Sequence, residues 1–169
     1  MANAVVQDLK GKTDAAWSNL SRQLQGMESY LERSDAPGEW TTREVLVHLM
    51  FEEGWNPVDV LRRFAERDLP LVEIEPGKMV MTPARRSMTL QQLVGALDAQ
   101  RRSVIGYLEG LPEADLQIRK ARIPLFQRFM GTDETPIAVY VGSLFGFHWN
   151  DHAGQLAKIR KAVGLPEAT

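Results

Sequence analysis

The apolar positions of the chain fall into four runs with helical spacing. In residues 3–32, Val6, Thr13, Trp17, Leu20, Leu24, Met27 and Leu31 recur at intervals of three, four or seven, which puts them on one stripe of an amphipathic helix. That run stops before "SDAPGEW", where Pro37 and Gly38 mark a turn. The second run opens at "TTRE". Thr41 followed by Glu44 is a capping-box signature, in which each side chain takes up a backbone N–H of the other residue. Val45, Leu46, His48, Leu49 and Phe51 follow. "EGWNP" interrupts the pattern at residues 53–57: Pro57 has no N–H to donate back to Glu53, so a kink or short break is expected. Asn56 then caps a restarted segment with Pro57 at its first position, ending near Arg67. The third run begins at Thr89 and Gln92, another capping box, and carries Leu90, Leu93, Val94, Leu97, Arg101, Val104, Ile105 and Leu108 on its stripe. The fourth starts at "TPIAV", with Thr135 as N-cap and Pro136 as first residue, and continues to about Val163, where Gly164 and Pro166 stop it.

Two long connections separate these runs. In residues 68–88, "LVEIEPGKMVM" alternates on both sides of Pro76-Gly77, a pattern that suits a small hairpin. An irregular loop packed by its own Val and Met side chains fits the same residues. Residues 110–134 contain "RKAR" at 119–122, which reads as a solvated basic face. Four long helices without a sheet predict an all-α fold, a four-helix bundle. The short link between the first two helices makes them antiparallel neighbours. The connection at 68–88 is long enough to cross the bundle, so helices two and three are expected to run parallel.

Composition narrows the function classes. At 169 residues the chain fits one domain, 1–169, with enough length to bury a core. A formal charge of −2 with interspersed signs does not build a nucleic-acid footprint. The absence of cysteine excludes disulfides, thiolate ligands and a cysteine nucleophile. The longest apolar run, "PIAVYVGSLFGFHW", holds two glycines and is too short to span a bilayer, so no membrane partner is expected. The start lacks the pattern of a signal peptide, which leaves a cytoplasmic location as the expectation.

Against that background the three histidines stand out. Residues four apart on a helix differ by about 40° in azimuth and lie about 6 Å apart along the axis. His148 and His152 therefore share a face, which Val141, Leu144, Gln155 and Ile159 extend as a core stripe. On the second helix His48 has Val45, Glu52 and Trp55 as face neighbours. Two histidines from one helix and one from a facing helix can converge on a divalent cation, with nitrogens at about 2.0–2.1 Å and coordination left over for water or substrate. Inward histidines that bond a carbonyl or a carboxylate are the plain alternative. Economy favours the metal: every histidine of the chain can join one site.

Two stretches carry a family resemblance: "GEWTTREVLVHL" at 38–49, with its histidine at the helical end, and "HWNDHAGQLAKIRKAVG" at 148–164. With the order of the helices and the long middle connection, the chain resembles the DinB/YfiT-like family of metal-dependent bundle proteins over nearly its whole length. The resemblance implies an up-down-down-up bundle, in which helices two and three are parallel. It implies His48, His148 and His152 as ligands of a divalent metal, nickel or zinc. Some relatives replace one C-terminal histidine with glutamate; this sequence does not. Characterised relatives include bacterial transferases and isomerases that use a low-molecular-weight thiol, mycothiol or bacillithiol.

Three neutral ligands leave a cation its full charge, able to activate water, polarise a carbonyl or acidify a thiol. With no cysteine in the chain, a thiolate would have to arrive with a small-molecule co-substrate. The expectation is a metal-dependent transferase or isomerase acting on a small molecule, as a homodimer. A non-catalytic bundle that binds metal or ligand for stability or sensing, and a metal-dependent hydrolase, remain open. Glu52, one helical turn past His48, is the candidate catalytic base, with an outer hydrogen-bonding role or plain exposure as alternatives. Asp151 and Gln155 flank the C-terminal pair as candidate hydrogen-bond partners, Asp151 equally suiting a solvent-facing position. Trp17, Trp55 and Phe145 are either pocket walls or plain core.

Overall fold

The computed structural model of the protein describes residues 3–168. Its long elements are α1 (Ala4–Gln23), α2 (Thr42–Leu49), α5 (Leu90–Glu109) and a composite last rod. That rod joins α8 (Ile137–Val141), a π-helical segment (Gly142–Phe147) and α9 (His148–Ala162). Shorter pieces lie between: a 3-10 turn (Glu28–Tyr30), α3 (Pro57–Arg62), α4 (Pro83–Ser87), α6 (Asp115–Ile118), β1 (Lys120–Arg122), α7 (Pro124–Met130) and β2 (Glu134–Pro136). No helix among the described residues is long and apolar enough to cross a membrane.

Side-chain pairs fix the directions of the rods. Lys10 meets Glu109 and Asp14 meets Arg101, so α1 and α5 are antiparallel. Trp17 packs on Trp149, Asn19 bonds Asn150, and Arg160 reaches the carbonyls of Gln23 and Gln25, so α1 and α9 run parallel. Arg43, early in α2, reaches the Met88 carbonyl just ahead of α5, while Gln100 of α5 reaches the Leu49 carbonyl at the end of α2. These two are therefore parallel as well. The result is an all-α, up-down-down-up bundle, with the crossover between α2 and α5 spanning its length.

Both expected capping boxes form, at Thr41 with Glu44 and at Thr89 with Gln92. Other boundaries differ from the sequence reading, each for a physical reason. α1 ends at Gln23 rather than near residue 32, because Gly26 takes a left-handed backbone (φ +73°) that turns the chain. Met27 and Leu31 stay in the core from the 3-10 turn beyond it. α2 ends at Leu49, earlier than expected, and Met50 is extended. The side chain of Gln100 takes over the main-chain bonding there: its Oε1 accepts from Phe51 N–H at 3.0 Å and its Nε2 donates to the Leu49 carbonyl at 3.2 Å. Asn56 and Pro57 start α3 as expected, and it stops at Arg62.

The Pro76-Gly77 hairpin does not form. Those residues make a turn, and the crossover pairs instead with β1: Arg122 N–H donates to the Pro70 carbonyl at 2.8 Å and Val72 N–H to the Arg122 carbonyl at 2.9 Å. β1 also pairs antiparallel with β2, Ala121 opposite Thr135. The basic "RKAR" is thus not a simple solvated face. Ala121 is fully buried and Arg119 donates to the carbonyls of Phe64 and Arg62, while Lys120 and Arg122 pair outward with Glu134 and Asp133. Thr135 is a buried strand residue rather than an N-cap, and Pro136 occupies the cap position ahead of Ile137.

The core between the rods is apolar and continuous. Trp149 sits at its centre, edge-on to Phe145 at 4.8 Å and tilted against Trp17 at 5.7 Å. Leu97 is fully buried on α5. Leu97→Ala leaves a cavity and is expected to cost about 2–5 kcal/mol, lowering the melting temperature by roughly 4–20 °C in a calorimetric scan.

Candidate metal centre

His48 occupies the last turn of α2, and His148 and His152 the first two turns of α9. α2 is a short helix, and its capping box holds its first turn rigid: Thr41 N–H donates to Glu44 at 2.8 Å and Glu44 N–H to Thr41 Oγ1 at 3.2 Å. On α9 the four-residue spacing brings the two imidazoles together edge to face, with ring centroids 4.7 Å apart and planes at 85°. The π-helical segment just ahead of His148 adds a residue to the turn. There Asn150 Nδ2 donates to the Gly146 carbonyl at 2.6 Å.

The three rings converge through their Nε2 atoms. His48 Nε2 lies 2.9 Å from His148 Nε2, and His152 Nε2 lies 3.1 Å from it. Their other nitrogens are committed elsewhere. His48 Nδ1–H donates to the Lys78 carbonyl at 2.6 Å, and His152 Nδ1–H to Gln155 Oε1 at 2.9 Å. A carbonyl has only lone pairs to offer, so these bonds place the protons on Nδ1 and leave both Nε2 atoms bare. His148 Nε2 carries at most one proton and can satisfy one of its two neighbours. A cation satisfies all three at once. Ligand bonds of about 2.0–2.1 Å at tetrahedral angles set nitrogens about 3.3–3.4 Å apart, within a few tenths of an ångström of the two close spacings here. One ligand atom from each histidine lies within 4.8 Å of the others. The cluster therefore fits a divalent ion, with His48, His148 and His152 as the residues to hold it.

Electrostatics keeps the donors in their binding form. Burial pushes the His148 imidazole from 6.5 down to about 4, and charge on His152 and His48 acts in the same direction. His48 is lowered as well, by burial first; the Lys78 carbonyl opposes the shift and His152 adds to it. At neutral pH His48 and His148 are lone-pair donors rather than cations.

Around the cluster, the sequence reading holds in part. Gln155 bonds His152 as a partner, while Asp151 faces solvent. Glu52 does not lie a helical turn past His48, because α2 has already ended; it is exposed and ion-paired with Lys78. That pairing raises the Lys78 ammonium above its ordinary value. Phe145 is core packing against Trp149, and Trp17 lies against both that ring and the Arg101 guanidinium. Trp55 is 54% exposed. The aromatic wall is Trp40, which the sequence reading did not single out: it lies nearly parallel to His152 (15°, 6.3 Å) and packs on His48 at 4.8 Å. Its signal was its position just before the Thr41 cap. Lys78 was missed because it contributes a main-chain carbonyl, which no side-chain pattern encodes.

His148→Ala is expected to reduce zinc or nickel affinity by more than the roughly 10–100-fold that follows loss of an outer partner, read by competition titration. The pH response follows from the lowered His148. The unfolded chain takes up this proton below about 6.5 and the folded chain only near 4. Stability of metal-free protein is therefore full above 6.5 and is lost as pH falls across that window, by on the order of 3 kcal/mol. Urea unfolding at pH 7.5 and 4.5 measures it, and His148→Gln flattens the difference.

The sequence profile of the DinB superfamily matches residues 12–156. No curated protein matches the chain. The match runs from within α1 to within α9 and encloses all three clustered histidines, so the chain belongs to the DinB superfamily.

Proposed function

We propose that the protein is a divalent-metal-dependent enzyme that transfers or isomerises a small molecule with a low-molecular-weight thiol as co-substrate. The observation that carries this reading is the meeting of three imidazoles through their Nε2 atoms, two of them with the opposite nitrogen pinned. Imidazole suits both nickel and zinc, the metals the family resemblance implies. Such an ion, held by uncharged ligands, supplies Lewis acidity that acidifies a thiol or polarises a carbonyl.

The chain's own residues supply the remainder. The Lys78 carbonyl and Gln155 orient two imidazoles, and the Trp40 ring lies near-parallel to His152 and tilted against His48. With no cysteine in the chain, the thiol must come from solution. Proton transfer in this reading falls to Glu52, linked through Lys78 to the His48 side of the cluster. A cytoplasmic homodimer is the working form in this reading.

Metal-loaded protein is expected to bind mycothiol or bacillithiol in a calorimetric titration and to lose that binding on chelation. In a thiol-transfer assay, Glu52→Gln is expected to lower kcat by about 10²–10⁴-fold with metal content unchanged. Loaded protein that binds no thiol would sink the transferase reading and leave a bundle whose metal serves stability or sensing.

A further inference from the structure

We propose that Arg85 is a positioning residue for the histidine cluster: it clamps the crossover segment carrying Lys78 onto the end of α2, and so holds His48 in the tautomer that presents Nε2. The consequence for metal affinity rests on the metal-binding reading above; the consequence for the tautomer does not.

Lys78 offers its carbonyl from an exposed turn. Residues 73–78 are all exposed, and Gly77 carries the turn in a left-handed backbone (φ +73°). Lys78 lies in neither a helix nor a strand, so the acceptor that fixes His48 needs to be held from elsewhere.

Arg85 is in α4, later in the same crossover, with its side chain only 4% exposed. Its NH1 group donates to the Val80 carbonyl at 3.1 Å, and its NH2 group donates to the Phe51 carbonyl. Val80 stands two residues past Lys78 and Phe51 three past His48. One guanidinium therefore ties together the two strands of chain that the His48–Lys78 bond also joins. Its Nε has no closer partner than Glu53, at 3.9 Å. The planar fork is thus spent on two carbonyls, a geometry that a lysine ammonium reproduces poorly.

Two further ties run between the same stretches, Glu53 with Thr82 Oγ1 at 2.5 Å and Glu52 with Lys78, and both involve exposed side chains. Exposed pairs hold geometry weakly. The buried arginine is the tie that water does not compete for. If it is released, the Lys78 carbonyl can drift from His48 Nδ1, and the imidazole is then free to carry its proton on Nε2, the wrong nitrogen for the cluster.

A control is built into the protein. Arg160 is a comparably buried arginine that also serves main-chain carbonyls, those of Gln23, Gln25 and Pro166, and ties the end of α9 to the end of α1. A purely structural role for Arg85 predicts that R85M and R160M behave alike.

The experiment is nitrogen NMR of histidine-labelled, metal-free protein, followed by zinc competition titration, on wild type, R85M, R85K and R160M. Wild type is expected to show His48 protonated on Nδ1. R85M should give a mixed tautomer and a roughly 10–100-fold loss of zinc affinity. R85K should be intermediate, and R160M should melt earlier with tautomer and affinity unchanged. R85M with a wild-type tautomer and wild-type affinity overturns the assignment, as does a wild-type His48 protonated on Nε2. Should R85M fail to fold, R85K decides: unchanged tautomer and affinity overturn the role, and a shift in both supports it. Wild type that binds no zinc while R85M still shifts the tautomer sinks the metal reading and leaves the positioning role standing.

Discussion

Three imidazole nitrogens, two of them at hydrogen-bond distance from the third, do not rest together on lone pairs alone. Two of them, on His48 and His152, have given their protons to the far side of the ring, one to the Lys78 carbonyl and one to Gln155. The third, on His148, is shielded from protonation, because burial holds it down to about 4. A site arranged in this way disfavours the very proton that would relieve it, and so is compatible with a different cation. The rest of the molecule can be understood as what keeps these rings from turning away.

The bundle's direction pattern is the first part of that. With α1 parallel to α9 and α2 parallel to α5, the last turn of α2 comes level with the first turns of α9. α2 must also stop there. Its termination is not written in a glycine or proline at Met50; it is imposed by Gln100, whose amide replaces the helical bonds at Leu49 and Phe51. The chain then leaves the helix and returns with the crossover, delivering the carbonyl that His48 needs.

Buried arginines perform much of the docking. Arg43, Arg85 and Arg160 each donate to main-chain carbonyls at a place where helix meets connection, and Arg43 also pairs with Glu32. Carbonyls at helix ends and in irregular segments have no ladder to join, and leaving them buried without a donor is costly. A guanidinium can serve two at once and stays charged at any relevant pH. The long crossover, with only the short α4 of its own, and the C-terminal end of the chain are thereby given fixed places.

The fold class, the capping boxes, the restart at Asn56 and Pro57, the end at Gly164 and the three histidines could all be read from the sequence, since each depends on local spacing or on backbone chemistry within a few residues. His148 and His152 share a face by helix geometry alone. What the sequence could not decide was anything set by a distant partner. β1 forms because the crossover and β2 flank it on both sides, so "RKAR" looked solvated. Glu52 fell off its helix because Gln100, some fifty residues on, ended it, and Lys78 entered the site through a carbonyl that every residue type possesses. Local spacing determines which donors can exist; only the packing of one segment on another determines which nitrogen of each ring is free to bind.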